Sequence, residues 1–275
     1  MPDQNIDKEV QGVRTWYNMV ADDFQHRYEG KEGDYLFSFE DAVYDRLIDF
    51  RGKRVLDLGT GGGRLARRVA GSAAEVHGVD ISEEMIRIAL GSADMPPNLH
   101  FEVADARRLR FAEGYFDVIV SAGMFEYLQD ATPFLREASR VLKPGGVFVF
   151  SCHKEPTSSF LYRVYRRFRN AVFPLRFVSQ ARVYTSKTDV RNSLFQKAYH
   201  RLPALREMVK TCGFDSPSHS STFFHIPSAL FFWSAGKSYG RITRLAAWAN
   251  LLLGSCPLVR GCGGVLIMKA TRPKE

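Results

Sequence analysis

Apolar positions recur at threes and fours from Val13 to Tyr28, through Trp16, Tyr17, Met19, Val20 and Phe24. This spacing predicts a lead helix with one apolar stripe. A second helix is expected over about Phe39 to Phe50. The pattern then changes to short apolar runs separated by turns and longer amphipathic stretches. Strands are expected near 54–58, 75–80, 99–103, 115–121 and 146–151, and helices near 63–70, 83–91 and 132–142. Strand–helix alternation of this kind calls for an α/β protein, with a mostly parallel sheet covered by helices on both faces. Ligands of such sheets sit outside the carboxyl ends of the strands.

The junction of the first strand and helix carries the candidate chemistry. Val55 to Leu58 is an apolar run with one carboxylate, Asp57, and Gly59, Gly61 and Gly63 follow at two-residue spacing. A strand, a glycine turn and a helix bring bare backbone against a ligand. Asp80 closes the second apolar run, about 20 residues beyond the turn, where a carboxylate can grip the two hydroxyls of a ribose. A dinucleotide fingerprint needs glycine at the sixth position counted from Gly59, but Arg64 stands there.

The order Asp57-x-Gly59-x-Gly61-x-Gly63 resembles the first motif of class I S-adenosylmethionine-dependent methyltransferases. The resemblance runs on in order through His77 to Ser82, Val103 to Ala106, Phe116 to Ser121 and Leu135 to Gly146. It is nearest to the small-molecule group that includes ubiquinone and menaquinone biosynthesis enzymes. It implies a doubly wound, seven-stranded, Rossmann-like methyltransferase fold. A stretch after Gly213-Phe214 and the terminal run Gly263 to Met268 look like its closing strands. The cofactor implied is S-adenosyl-L-methionine. Gly59 and Gly61 would lie under its methionine end, with Asp57 and Gly63 also cofactor-binding, Asp80 on its ribose with Ile81 packing on adenine, and Asp105 with Ala106 by the adenine amino group. Ser121 ends the fourth strand on the same rim. The string Trp16 to Phe24 resembles the family's lead helix, which folds over cofactor and substrate.

Size, charge and cysteines narrow the class. The chain has 275 residues and no Ser/Gly/Pro-rich linker. One methyltransferase domain over 51–275 is therefore expected, after a helical lead segment over 1–50, with cap insertions at about 155–201 and 227–260. Cys152, Cys212, Cys256 and Cys262 are scattered without CxxC or Cys/His spacing, so neither a metal nor a disulfide framework is indicated. Reduced, buried thiols fit a cytoplasmic protein. The polar start, Met1 to Lys8, does not read as a signal peptide, and no apolar run approaches the ~18 residues that span a bilayer.

The net charge is +8, and residues 157–191 hold eight Lys/Arg against one acid. Phe160 to Phe173 reads as a basic amphipathic helix with Arg163, Arg166, Arg167 and Arg169, stopped by Pro174. A second block, Phe223 to Leu253, is rich in aromatics. These insertions suit a helical cap, a peripheral contact with anionic membrane, or a nucleic-acid handle. The aromatic block favours a greasy small-molecule acceptor over RNA. The Asn/Asp-Pro-Pro-aromatic string of nucleobase amino methylation is absent, since Ser121-Ala122-Gly123-Met124 stands in its place.

The expected reaction is methyl transfer to a small, lipophilic acceptor, at oxygen before carbon. Where many relatives show Glu-His after the fourth strand, this chain has Glu126-Tyr127. His153, just past the fifth strand, becomes the candidate base, with the hydroxyls of Tyr17 and Tyr28 as further catalytic candidates. An RNA methyltransferase and a non-catalytic cofactor-binding scaffold are the alternatives.

Overall fold

In the computed structural model of the chain, the residues described are 2–27, 30–91, 95–153, 193–195, 198, 200–215, 217–222 and 265–274. Two helices lead, α1 (Pro2–Arg27) and α2 (Gly30–Leu47). The alternating part follows as β1 (Arg54–Leu58), α3 (Arg64–Ala70), β2 (Glu75–Asp80), α4 (Glu83–Leu90), β3 (Leu99–Val103), β4 (Phe116–Ser121), α5 (Thr132–Val141) and β5 (Leu142–His153). The chain closes with α6 (Leu202–Thr211), β6 (Ser218–Thr222) and β7 (Val265–Thr271). The strands form one seven-stranded sheet in the order β3-β2-β1-β4-β5-β7-β6. β1 to β5 pair in parallel, and β7 runs antiparallel to both β5 and β6. The expected Rossmann-like α/β fold is therefore the one observed.

Strand alternation divides the core between two faces. Leu56, Leu58, Ile119, Phe148 and Phe150 pack with Phe134 and Leu135 of α5 and Leu205 of α6. Val55, Val118, Val120 and Ile267 face the other way, onto Leu65 and Val69 of α3 and Val43 and Tyr44 of α2. Both faces are covered, as near-continuous apolar strands require. Helix α4 starts where Ser82 Oγ accepts from Met85 N at 3.2 Å, with Glu83 and Glu84 in its first turn.

The fifth strand begins earlier than the sequence pattern suggests. Leu142 already pairs with Phe116, and the next pair is Val118 with Val147, so residues 143–146 bulge between them. Cys152 and Cys212 are buried free thiols. Burial, with the Glu126 charge, pushes the Cys152 thiol up to about 12. No helix among the described residues is long and apolar enough to cross a membrane. The basic helix expected over Phe160 to Phe173, the aromatic block Phe223 to Leu253 and most of both cap insertions lie outside the described residues.

Helix α1 lies over the sheet rim and is latched to α4. Trp16 is fully buried, in a cluster with Val13, Val20, Tyr127 and Phe195. Asn18 Nδ2 donates to Glu83 Oε2 at 2.9 Å, and Asn18 Oδ1 accepts from Ser82 Oγ at 2.6 Å. Arg14 pairs with Glu83, and Arg87 Nη2 reaches Asp22 Oδ1 at 3.1 Å.

Candidate active site

A cavity of about 570 Å³ opens at the carboxyl ends of β1, β2 and β4, roofed by α1 and α2. This size suits a small molecule or cofactor. Its floor is the turn after β1. Gly59 and Gly61 have φ of +71° and +54°, which side chains rarely adopt. A Cβ on Gly59 would strike Met124 Sδ at 2.8 Å. A Cβ on Gly61 would meet no protein atom within 4 Å, yet Gly61 lines the cavity, so the methyl would occupy ligand space.

Asp80 is the best-defined ligand group. Its Oδ2 accepts from Gly61 N and its Oδ1 from Ser82 N, each at 2.9 Å. The Ile81 backbone N–H also bonds this carboxylate, and its remaining lone-pair capacity is open to donors in the cavity. Burial raises the Asp80 pKa, and the backbone N–H groups of Ser82 and Gly61 oppose that rise. Asp57 is buried, and its Oδ2 accepts from Thr60 Oγ1 at 2.8 Å. Burial pushes its carboxyl up to about 6, against the pull of Thr60 and Arg64.

Asp105 borders the cavity with Ala106 and Arg107. The Arg107 guanidinium grips its carboxylate, Nη2 to Oδ2 at 2.7 Å, and Arg107 N donates to Oδ1 at 2.9 Å. An adenine amino group at Asp105 would share it with this arginine. Ile81 also lines the cavity, whereas Gly63 and Ser121 are not among its lining residues. Gly63 precedes α3 at φ +79°, where a Cβ would meet Phe101 at 2.4 Å. Ser121 is fully buried.

The candidate catalytic residues divide differently. Tyr17 lines the cavity and stands edge-on to Phe24 and Tyr127, each with ring centres 5.5 Å apart. Tyr28 lies outside the described residues. His153 ends β5 opposite Val265, and only its backbone is described.

The acceptor side holds a residue the sequence pattern did not single out. Phe37, Glu40 and Tyr44 stand at helical spacing on α2, and Glu40 reaches the cavity between Phe37, Ser151 and Glu126. Glu40 is hydrogen-bonded to Ser151, whose Oγ also accepts from Gly123 N at 2.9 Å. Arg64 stacks over Phe37 at 3.7 Å and pairs with Asp41 at 2.8 Å. Burial pushes the Glu40 carboxyl up to about 7; Arg64 lowers it, while Asp41 and Glu126 add to the rise. The helical spacing of an acid among aromatics was the available signal. Only the fold shows that this stripe meets the rim of β4 and β5.

Does this cavity fit a nucleoside sulfonium? The free lone pairs of Asp80 match a ribose diol, the Gly61 gap admits ligand against backbone, and nearby acids suit a cation. The glycine turn, the Asp80 carboxylate at a strand end and this sheet order agree with a class I S-adenosylmethionine-dependent methyltransferase, and the chain is one. Residues 56–150 match the family model described as a methyltransferase domain. The chain is 29% identical over 165 residues to a ubiquinone biosynthesis O-methyltransferase of Coxiella burnetii, covering 60% of this chain and 70% of that protein. It is 36% identical over 125 residues to the Thiobacillus denitrificans enzyme of the same name, covering 43% and 54%. A solved S-adenosylmethionine-dependent methyltransferase from Thermotoga maritima shares the fold with a TM-score of 0.59 at 18% identity, over 95% of this chain and 99% of that one.

Proposed function

We propose that the protein methylates an oxygen of a small, lipophilic acceptor. The observation that carries this reading is one cavity lined both by Asp80 with the glycine turn and by Glu40, Phe37 and Tyr127. The similarity to ubiquinone biosynthesis O-methyltransferases supports oxygen as the acceptor atom. When bound, S-adenosylmethionine supplies the methyl carbon and its own sulfur leaving group.

The protein's task is to position the acceptor, exclude water and accept one proton. Asp80 and the turn amides fix the donor side. Phe24, Phe37, Tyr17 and Tyr127 offer apolar faces to an aromatic or prenylated acceptor. As the carbon–oxygen bond forms and the carbon–sulfur bond breaks, the acceptor hydroxyl releases its proton to Glu40. A carboxyl held near 7 is matched to that transfer at neutral pH. Asp57 remains bonded within the turn.

The basic segment Phe160 to Phe173, which lies outside the described residues, would bring the protein to anionic membrane holding such an acceptor. Transfer of labelled methyl from S-adenosylmethionine to alkyl-substituted catechols and phenols tests the reading. Turnover that drops about 10²-fold in Glu40→Gln, with S-adenosylhomocysteine affinity kept, is expected. The same drop in His153→Ala with Glu40→Gln unchanged would move the proton to His153. Methylation of amines alone would refute oxygen transfer, and failure to bind S-adenosylhomocysteine would refute the function.

A further inference from the structure

A second cluster lies at the opposite ends of the strands, apart from the methyl-transfer cavity. Residues 75 and 77 of β2 share one face of the sheet, and the β2–β3 register sets His77 opposite His100. Glu75 Oε1 and His77 Nε2 are 2.9 Å apart, and the two imidazole centres 5.0 Å. One ligand atom from each of Glu75, His77 and His100 lies within 4.8 Å of the others.

The surroundings hold these groups in place. Tyr115 OH donates to Glu75 Oε2 at 2.9 Å. Phe111 and Phe116 stand edge-on to His77 at 5.0 and 5.7 Å. Such outer contacts orient metal ligands. The His77 and Glu75 side chains are 17% and 28% exposed, and His100 is exposed, so solvent reaches the group. Arg54 stacks over the Tyr115 ring at 4.6 Å and adds a positive charge that the carboxylate must offset.

We infer that Glu75, His77 and His100 form a binding site for a divalent transition-metal ion of the zinc type, with at least one coordination position left to water. Two imidazoles and one carboxylate suit zinc, cobalt or nickel, and do not suit magnesium or calcium, which take oxygen ligands. Bonds of about 2.0–2.2 Å place tetrahedral donors roughly 3.3–3.5 Å apart. The Glu75–His77 pair must therefore open slightly, and the wider separations, none above 4.8 Å, must close by at most about 1.5 Å. The cation takes the place of the proton shared between Glu75 and His77. That proton moves to His77 Nδ1, so the imidazole stays neutral and no redox partner is needed.

The consequence is structural. β3 is the edge strand of the sheet, and β2 is its neighbour. A metal held by one residue of β3 and two of β2 clips that edge in register and binds the folded state alone. The linear spacing of cysteines and histidines gave no hint of the site, because the register between two strands creates it.

The test uses tag-free full-length protein, stripped with a chelator and titrated with Zn²⁺ by calorimetry and with Co²⁺ by visible absorption. One Zn²⁺ per chain with micromolar or tighter affinity, a visible Co²⁺ band and a rise in Tm on adding Zn²⁺ are expected. His100→Ala removes an exposed ring and should keep the fold, as S-adenosylhomocysteine binding will report, while losing at least 10-fold in Zn²⁺ affinity. Glu75→Gln should weaken Zn²⁺ as well. Absence of saturable binding overturns the inference. So does an affinity that both variants leave unchanged, since the ion would then be held elsewhere.

Discussion

Replacing Glu40 with glutamine should make the protein more stable while it removes the proposed proton acceptor. Raising a carboxyl from its ordinary 4.5 to about 7 costs about 3 kcal/mol at roughly 1.36 kcal/mol per pH unit once the group is ionised. Glu40 still borders the cavity, so water there reduces the figure toward about 2 kcal/mol. The sign follows from proton binding. Below about pH 4.5 the group is protonated in both the folded and unfolded chain, and its burial adds no pH-dependent term. Between about 4.5 and 7 the unfolded chain gives up the proton and the folded chain keeps it, so stability falls as pH rises. Above about 7 the full cost is present. Glutamine keeps the shape and a hydrogen bond to Ser151 but cannot ionise. Urea unfolding of both proteins from pH 4 to 8 should give curves that meet at the acid end and diverge by about 2–3 kcal/mol at the neutral end. Other titrating groups, such as Asp57, are common to both proteins and largely cancel in the difference. Superimposable stability curves over this range would refute the claim that burial raises the Glu40 carboxyl toward neutrality.

Three further outcomes are expected. Asp80→Ala should weaken S-adenosylmethionine by about 1.5–3 kcal/mol, the scale of a hydrogen bond to a charged group, and calorimetry giving wild-type affinity would remove Asp80 from the ribose. Gly61→Val should abolish cofactor binding in a protein that still folds, because the side chain enters cavity space rather than protein; normal binding would leave the turn merely a turn. Replacing Arg163, Arg166, Arg167 and Arg169 with glutamine should release the protein from anionic vesicles but spare cofactor affinity, at about 1 kcal/mol per charge; a wild-type chain that ignores such vesicles in low salt would end the membrane reading.

The parts legible in the sequence are those governed by local periodicity. Val55 to Leu58 falls where the apolar run places a strand, because a parallel strand covered on both faces must be apolar almost throughout, and Glu75 to Asp80 and Leu99 to Val103 also lie at their expected spans. The start of β5 was misjudged, since Lys143 to Gly146 reads as a turn and the pairing of Leu142 with Phe116 across a bulge is a tertiary choice. The rim was legible too, because Asp57 lies within the first apolar run near its end, and Asp80 and Asp105 each follow one. Sequence did not reveal how these acids are already occupied. Thr60 holds Asp57, backbone amides hold Asp80, and Arg107 holds Asp105. Glu40 escaped for a different reason. Its helix is joined to the rim through packing on β4 and β5, the Glu40–Ser151 bond and the Asp41–Arg64 pair, none of which spacing within α2 encodes.

The latch of α1 onto α4 ties cofactor retention to the motion of one helix. Ser82, whose amide holds the Asp80 carboxylate, gives its hydroxyl to Asn18 of that helix. Lifting α1 therefore loosens the ribose clamp and opens the roof in the same movement. The attachments along this seam are polar, and Arg14 and Glu83 are 40% and 41% exposed, so water competes for them and salt weakens them. Opening it also exposes the Trp16 cluster, yet far less apolar surface than unfolding the sheet beneath. The expected outcome is that release of the spent cofactor, rather than the bond-making step, limits turnover. Amide exchange along residues 13–25 should slow when S-adenosylhomocysteine binds and quicken in Asn18→Ala, and the turnover number should rise with ionic strength until the clamp itself fails.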